Sequence, residues 1–173
     1  MPRAKQPSWL QLDVQFGAGR RGVPHVRRLR EWAQAAYLAH VQLHHAKRKA
    51  KLPLVSVSLR VVTPKESQQL NHHWRGKDKP TNVLSFPASD ADIDAMSEDG
   101  AFNLGDLAIC ARVVAKEAKE QQKKPESHWA HMVIHGVLHL LGYDHETSRD
   151  AKVMEAIEVG ILEQYGFANP YEY

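Results

Sequence analysis

The segment at 135–145, HGVLHLLGYDH, constrains this chain more than any other part of the sequence. It closes a strongly apolar stretch, which predicts a buried helix with Gly142 as its C-cap. His135 and His139 are four residues apart, so a helix places both rings on one face, one turn apart. Gly142 can adopt a left-handed conformation, and the resulting turn can bring His145 back toward the same point.

Three imidazoles that converge around an open position are typical of a catalytic zinc site. Imidazole nitrogen also suits nickel, copper and iron, so the sequence favours zinc on prior frequency alone. The alternative is that these are ordinary core or surface histidines, which is the usual role of a single histidine on an apolar helix. Two histidines at this spacing, followed by a glycine and a third histidine, are much rarer. We therefore predict a metal site formed by His135, His139 and His145.

The same histidine spacing occurs in the metzincin peptidases, but one essential residue of those enzymes is missing. They need a glutamate directly after the first histidine as the general base. This chain has Gly136 at that position, and a glycine cannot accept a proton. A metallopeptidase therefore stays a disfavoured alternative.

The composition predicts one folded domain over residues 1–173, with residues 1–8 as a flexible start. The chain is 43% hydrophobic and 25% charged, which excludes a disordered or collagen-like protein. Cys110 is the only cysteine, so no internal disulfide can form, and we expect a reducing compartment, the cytoplasm. The sequence has no run of 18 apolar residues and no secretory signal at its start, so we expect no membrane span.

The net charge of +3 hides a strong asymmetry. Residues 1–52 carry 11 of the 23 lysines and arginines but only two acids, a formal charge of +9, and the rest of the chain carries −6. A basic half favours a polyanionic partner such as RNA. The alternative is a solvated helix face that follows an unstructured basic start, and charge alone does not separate the two.

Hydrophobic periodicity and turn residues predict four strands and five helices, in the order β-α-β-α-β-β-α-α-α. The predicted strands are 10–16, 54–62, 82–86 and 104–110, and the predicted helices begin at Pro24, Pro64, Ala111, Ser127 and Arg149. Thr63 and Ser148 are the predicted N-caps of the second and last helices. Charged loops are predicted at 47–51 and 88–102. This content indicates an α+β fold with one sheet covered by helices, and it leaves the strand order open.

Three motifs, in this order along the chain, resemble one known family. They are WRGKDKPTNVLSFP at 74–87, LGDLAIC at 104–110 and the histidine segment at 135–145. Together they resemble the YbeY family of bacterial rRNA maturation factors. The resemblance implies an α+β domain with a small mixed sheet and a metal site in a cleft. It also implies a metal-dependent endoribonuclease, specific for single strands, that acts in 16S rRNA 3′-end processing, ribosome maturation and ribosome quality control.

The same resemblance implies roles for individual residues. His135, His139 and His145 match the three zinc ligands of the family, which implies one Zn2+ ion as the cofactor, and Arg75 matches its important arginine. The implied partners are rRNA or other single-stranded RNA, the small ribosomal subunit and an associated ribosome-assembly GTPase. The basic N-terminal part carries no family motif, so no role is transferred to it.

Arg75 and its neighbours suit phosphate chemistry. A guanidinium can pair with a phosphate through two hydrogen bonds and can stabilise charge that develops in the transition state. Because Arg75 matches the important arginine of the family, the resemblance makes it the predicted catalytic residue. Lys77 and Lys79 can hold neighbouring phosphates as point charges and are the predicted substrate-binding residues. The alternative for all three residues is a solvated, charged turn.

The other histidines and the tryptophans carry weaker predictions. We expect His131 to make a polar contact near the site, and His128 to be a surface residue in the first turn of its helix. The histidines without a third partner at suitable spacing are predicted surface residues: His40, His44, His45, His72 and His73. The scattered tryptophans are predicted to pack in the core or in a cleft wall, not to stack on bases: Trp9, Trp32, Trp74 and Trp129.

One further function stays open from the sequence. A non-catalytic ribosome-assembly factor would use its metal for structure and its basic half for docking on rRNA. Such a protein would carry the same three histidines, so their spacing does not distinguish it from an endoribonuclease.

Overall fold

A computed structural model describes residues 8–45, 51–89 and 100–172. Within these ranges four strands and five helices follow one another, as the sequence predicts. They are β1 (Leu10–Phe16), α1 (Val26–His45), β2 (Val55–Val62), α2 (Pro64–Arg75), β3 (Val83–Pro87), β4 (Phe102–Cys110), α3 (Ala111–Glu120), α4 (Pro125–Leu140) and α5 (Ser148–Gln164). The predicted α+β class is confirmed.

The four strands form one mixed sheet in the order β1-β2-β4-β3. β1 and β4 each pair with β2 in parallel, and β3 pairs with β4 in the antiparallel direction. A parallel pair needs a long crossover, and the 20-residue helix α1 provides it between β1 and β2. The short strand β3 lies at one edge, next to the strand that carries the LGDLAIC motif.

The two faces of the sheet are covered differently. Along β2 the apolar side chains are buried and alternate with partly exposed polar ones: Val55, Val57, Leu59 and Val61 against Ser56, Ser58 and Arg60. The buried set packs in the main core with Trp32 of α1 and Trp129 of α4. On the opposite face a smaller cluster, which includes Leu84 and Cys110, packs against Leu70 of α2. The α4 helix therefore lies on the main-core face of the sheet.

Gly136 allows α4 to approach the edge of the sheet closely. A Cβ atom at this position would lie 2.9 Å from a methyl group of Leu107 and 3.3 Å from one of Val83. The hydroxyl of Ser85 in β3 donates a hydrogen bond of 3.0 Å to the Gly136 carbonyl. The backbone next to His135 is therefore held against β3 and β4, which gives the histidine helix a rigid support.

Some sequence predictions need correction, and others fall outside the described residues. The N-cap of α5 is Thr147 and not Ser148: the Thr147 hydroxyl accepts from the Asp150 amide at 3.1 Å. The predicted Thr63 cap of α2 is confirmed, because the Thr63 hydroxyl accepts a hydrogen bond of 3.1 Å from the Glu66 amide. Three predicted segments lie largely outside the described residues. They are the flexible start, of which residues 1–7 are not described, and the two charged loops, of which residues 46–50 and 90–99 are not described. None of the helices in the described ranges is long and apolar enough to cross a membrane.

His128 is buried, which contradicts its predicted surface position. Its side chain is 3% exposed, and its Nε2 lies 2.7 Å from a carboxylate oxygen of Glu117 in α3. The same carboxylate accepts hydrogen bonds of 3.0 and 3.2 Å from the Asn82 amide group. Glu117 thus joins the start of β3, α3 and the first turn of α4. The periodicity of α4 does not predict this burial, because the covering element α3 is separate in sequence.

We expect Glu117→Gln to destabilise the fold near neutral pH and much less in acid. Burial raises the pKa of Glu117, but the hydrogen bonds from His128 and Asn82 outweigh it and keep the pKa below its ordinary 4.5. A carboxylate with a lowered pKa contributes stability above its unfolded pKa, and this contribution is lost as the pH falls through the folded value. Urea unfolding at pH 7 should show a loss of about 1–3 kcal/mol for the variant, and the loss should shrink toward pH 3.

Glu120→Gln is the matched control for this prediction. Glu120 lies on the same helix, is 60% exposed and approaches Lys116 only to 3.8 Å. We expect its replacement to change stability by less than about 0.5 kcal/mol at either pH. An equal loss for Glu117→Gln at pH 7 and pH 3 would contradict the assigned role of the ionised carboxylate.

Candidate metal centre

The end of α4 brings the three predicted histidines together. Gly142 has a φ of 95°, in the left-handed region. The Gly142 amide donates a hydrogen bond of 3.1 Å to the His139 carbonyl, and the Tyr143 amide donates one of 3.1 Å to the Leu138 carbonyl. This pair of bonds is a Schellman motif, which turns the chain away from the helix axis. The turn returns His145 toward the helix, with its ring 5.5 Å from that of His135 and 4.9 Å from that of His139.

The three rings present nitrogen atoms to one small volume. One ring nitrogen from each of His135, His139 and His145 lies within 4.8 Å of the others. The Nε2 atoms of His135 and His139 are 3.1 Å apart. Two nitrogens bound to one tetrahedral zinc at about 2.0–2.1 Å lie roughly 3.3 Å apart, so this separation fits a shared metal ion. The His145 side chain is 52% exposed, so the group opens toward solvent.

Glu158 of α5 orients the His135 ring. Its carboxylate is fully buried, and one oxygen lies 2.5 Å from His135 Nδ1. The other oxygen accepts from the Tyr171 hydroxyl and lies 3.1 Å from His131 Nε2. Burial raises the pKa of Glu158, but the hydrogen bonds from His131 and His135 outweigh it and lower the pKa to about 2. An ionised Glu158 fixes His135 Nδ1 as the donor and leaves Nε2 for a metal, which is the usual carboxylate–histidine arrangement of metal sites.

His139 is held in the same way by a backbone oxygen. Its Nδ1 lies 2.9 Å from the Tyr143 carbonyl, so its Nε2 is the atom directed at His135. Burial, together with the closeness of the His135 and His145 rings, lowers the pKa of His139 to about 4. The ring is therefore neutral at pH 7, and neutral imidazole is the form that binds a metal.

Two histidines of α1 anchor the turn that carries these contacts. His40 Nδ1 and His44 Nε2 each lie 3.1 Å from the hydroxyl oxygen of Tyr143. The carbonyl of the same tyrosine binds His139, so α1 is linked to a candidate ligand through one residue. His44 is exposed, as predicted, whereas His40 is half-buried and not a plain surface residue, because the turn after α4 folds back onto the end of α1.

Sequence reasoning missed Glu158 and foresaw only a polar contact for His131. His131, His135 and Glu158 also present ligand atoms within 4.8 Å of one another. The His135 ring belongs both to this group and to the three-histidine group. We therefore interpret the buried Glu158 carboxylate as the group that orients the His135 ring. A signal was present: Glu158 lies four residues from both Met154 and Leu162, on the buried face of α5. An acid in an apolar stripe needs a polar partner in the core.

The predicted phosphate-binding residues lie on a separate, exposed turn. Arg75 ends α2, Gly76 closes the helix with a φ of 68°, and the side chains of Arg75, Lys77 and Lys79 are exposed. The Asn71 side chain donates to the Lys79 carbonyl at 2.8 Å, which holds the turn against α2. Among the described residues, no hydrogen bond or ion pair joins Arg75 to the three histidines.

Gly136 also bears on the peptidase alternative. The Cβ atom of a side chain at this position would meet Leu107 and Val83 in the sheet. The position that carries the base in metzincins is therefore occupied here by a helix–sheet contact. This arrangement agrees with the sequence argument against a peptidase.

Comparisons with known proteins agree with the three motifs. The family model described as endoribonuclease YbeY matches residues 23–166. The solution structure of TM1509 from Thermotoga maritima superposes with a TM-score of 0.53 at 22% identity. That match covers 94% of this chain and 100% of the Thermotoga chain, and it supports the fold. The family match spans most of the chain and includes all three motifs, and the chain therefore belongs to the YbeY endoribonuclease family.

Proposed function

We propose that this protein is a zinc-dependent endoribonuclease that cuts single-stranded RNA. It would act in the cytoplasm, in 16S rRNA 3′-end processing, ribosome maturation and ribosome quality control. Its partners would be the small ribosomal subunit and a ribosome-assembly GTPase. The observation that carries the proposal is the convergence of His135, His139 and His145 on a solvent-facing point. Buried or backbone acceptors orient two of these rings, as a preformed metal site requires.

Each residue of the centre has a defined task in this proposal. A zinc ion held by the three histidines would supply a Lewis acid for a phosphoryl oxygen and lower the pKa of a water molecule. Glu158 and the Tyr143 carbonyl keep His135 and His139 in the tautomer that offers Nε2. The exposed side of His145 leaves room for a phosphodiester to approach.

Arg75 would bind the phosphate that is cut. Its guanidinium can hold two phosphate oxygens and stabilise the charge that develops on them. Lys77 and Lys79 would bind neighbouring phosphates of the strand. The turn that carries them is held by side chains of α2, so the three cations are displayed from a fixed backbone. Such preorganisation is what stabilisation of a transition state requires.

The test measures metal content and RNA cleavage in one preparation of wild type and Arg75→Ala. We expect wild type to carry one zinc per chain, to cut single-stranded RNA and to leave duplex RNA intact. Arg75→Ala should keep its zinc but cut about 10²- to 10³-fold more slowly, since a transition-state contact is lost. Arg75→Lys should fall between the two, because lysine keeps the charge but not the paired hydrogen bonds.

Lys116→Ala is the control for removal of one exposed cation elsewhere, since Lys116 lies on α3 and is 74% exposed. It should cut RNA as fast as wild type. Cleavage by folded, metal-free protein would contradict the proposed metal dependence. Cleavage by Arg75→Ala at the wild-type rate would contradict the role of the arginine.

A further inference from the structure

Trp74 is exposed in a way that core packing does not explain. Its relative exposure is 63%, and in the part of the chain that the structure describes the other exposed large hydrophobics are Leu43 and Val153. Trp32 and Trp129 are buried, as their predicted packing role requires, but Trp74 is not. An indole left in water gives up a large amount of apolar burial, and its exposed ring is available to a binding partner.

The neighbours of Trp74 brace the indole without covering it. The Phe86 ring lies 5.8 Å away at an interplanar angle of 69°, and the His73 ring lies 5.0 Å away at 81°. Neither ring is parallel to the indole, so neither is stacked on its face. The backbone of Trp74 belongs to the last turn of α2, which the left-handed Gly76 closes. The side chain is therefore presented from a fixed position, with most of its surface open.

The cations predicted to bind phosphates lie close to Trp74 in the chain. Arg75 follows Trp74 directly, and Lys77 and Lys79 come within five residues of it. Phe86, which contacts Trp74, packs together with Leu70 of α2 against the smaller cluster of the sheet, so this surface lies on the α2 face. Exposed aromatic rings beside cations are the usual means of binding single-stranded RNA, because bases stack on the ring while the cations hold phosphates.

We propose that Trp74 is a stacking platform for one unpaired nucleobase of the RNA strand whose phosphates reach Arg75 and the two lysines. The inference rests on the proposed function and names how that substrate is held. A duplex keeps the faces of its bases stacked internally, so the platform accepts only an unpaired base. Trp74 thus contributes to the selection of single strands, and Phe86 supports the indole through an edge-to-face contact.

The test is a double-mutant cycle between Trp74 and the bases of a ligand strand. A short 2′-O-methyl RNA strand, labelled for fluorescence anisotropy, is bound to zinc-loaded wild type, Trp74→Ala and Trp74→Phe. Binding is repeated with strands that lack one base at a time. We expect Trp74→Ala to weaken binding of the intact strand about 5- to 150-fold, and one abasic position to weaken wild type by a similar factor. The same abasic position should hardly weaken Trp74→Ala further, because both changes remove one contact.

Trp74→Phe should retain part of the affinity, since phenylalanine can still stack. Val153→Ala is the matched control: Val153 is 48% exposed on α5, and its removal should leave binding unchanged. The proposed platform is contradicted if Trp74→Ala binds as tightly as wild type or if wild type does not bind the strand. It is also contradicted if, at every abasic position, the affinity loss from the missing base multiplies with the affinity loss from Trp74→Ala. Binding here requires no cleavage. A protein that binds through Trp74 yet never cuts RNA would therefore contradict the proposed function and not the platform.

Discussion

Replacing His139 with alanine is expected to abolish both metal binding and RNA cleavage. His139 offers its Nε2 to the centre from the middle of the three-histidine group, and its ring is neutral because burial lowers its pKa to about 4. Loss of a partner that only orients a ligand reduces metal affinity about 10- to 100-fold, so loss of the ligand itself should exceed this. Bound zinc is measured directly, and cleavage of single-stranded RNA should fall at least in proportion.

Thermal unfolding separates loss of the site from loss of the fold. A metal that binds the native state raises the melting temperature, so zinc should stabilise wild type and leave His139→Ala unchanged. His145→Ala provides a second variant with less structural risk, because its ring is half exposed. His72→Ala removes an exposed histidine of α2 and should behave as wild type. Zinc binding and cleavage by His139→Ala at wild-type levels would rule out the three-histidine site.

Replacing Glu158 with alanine is expected to damage stability and metal affinity together. The carboxylate is fully buried and is contacted by His131, His135 and Tyr171. Removal of one partner from a buried charged network typically costs about 3–5 kcal/mol, because the remaining polar groups lose their acceptor without reaching water. Zinc affinity should also fall about 10- to 100-fold, since His135 loses the group that orients it.

The two effects are measured separately. Urea unfolding in the presence of a chelator reports stability without metal, and competition with a zinc indicator reports affinity in the absence of denaturant. Glu163→Ala removes an exposed carboxylate from the same helix and should change neither quantity. Tyr171→Phe removes a single donor to Glu158 and should have a smaller effect on both. Wild-type zinc affinity in a folded Glu158→Ala variant would show that the carboxylate does not support the site.

Local sequence patterns predicted most of the secondary structure and the centre of the candidate site. Alternation of β-branched residues predicted β2, and Thr63 predicted the start of α2. The spacing of His135 and His139, with Gly142 after them, predicted that a helix and its terminal turn bring three rings together. These predictions hold because each depends on residues within one or two turns of the backbone, where geometry is set by local hydrogen bonds.

Contacts between side chains of different helices and turns could not be predicted from these local patterns. Glu158 meets His135 across 23 residues, His40 meets Tyr143 across 103, and Glu117 covers His128 from another helix. Each of these polar side chains is placed by how helices pack on the sheet, and the periodicity of its own helix carries no information on its partner. Strand order was open for the same reason, since several orders satisfy the same pattern of apolar residues.

The sequence by itself therefore determined the elements, the three histidines of one helix and turn, and the family. Only the tertiary structure decided which groups surround those histidines and which side chains stay exposed. Tertiary packing determines both the burial of Glu158 and the exposure of Trp74. Glu158 is buried because α5 packs on α4, and Trp74 is exposed because no element in the described residues covers the end of α2. Packing is collective, so a single stretch of sequence cannot specify it.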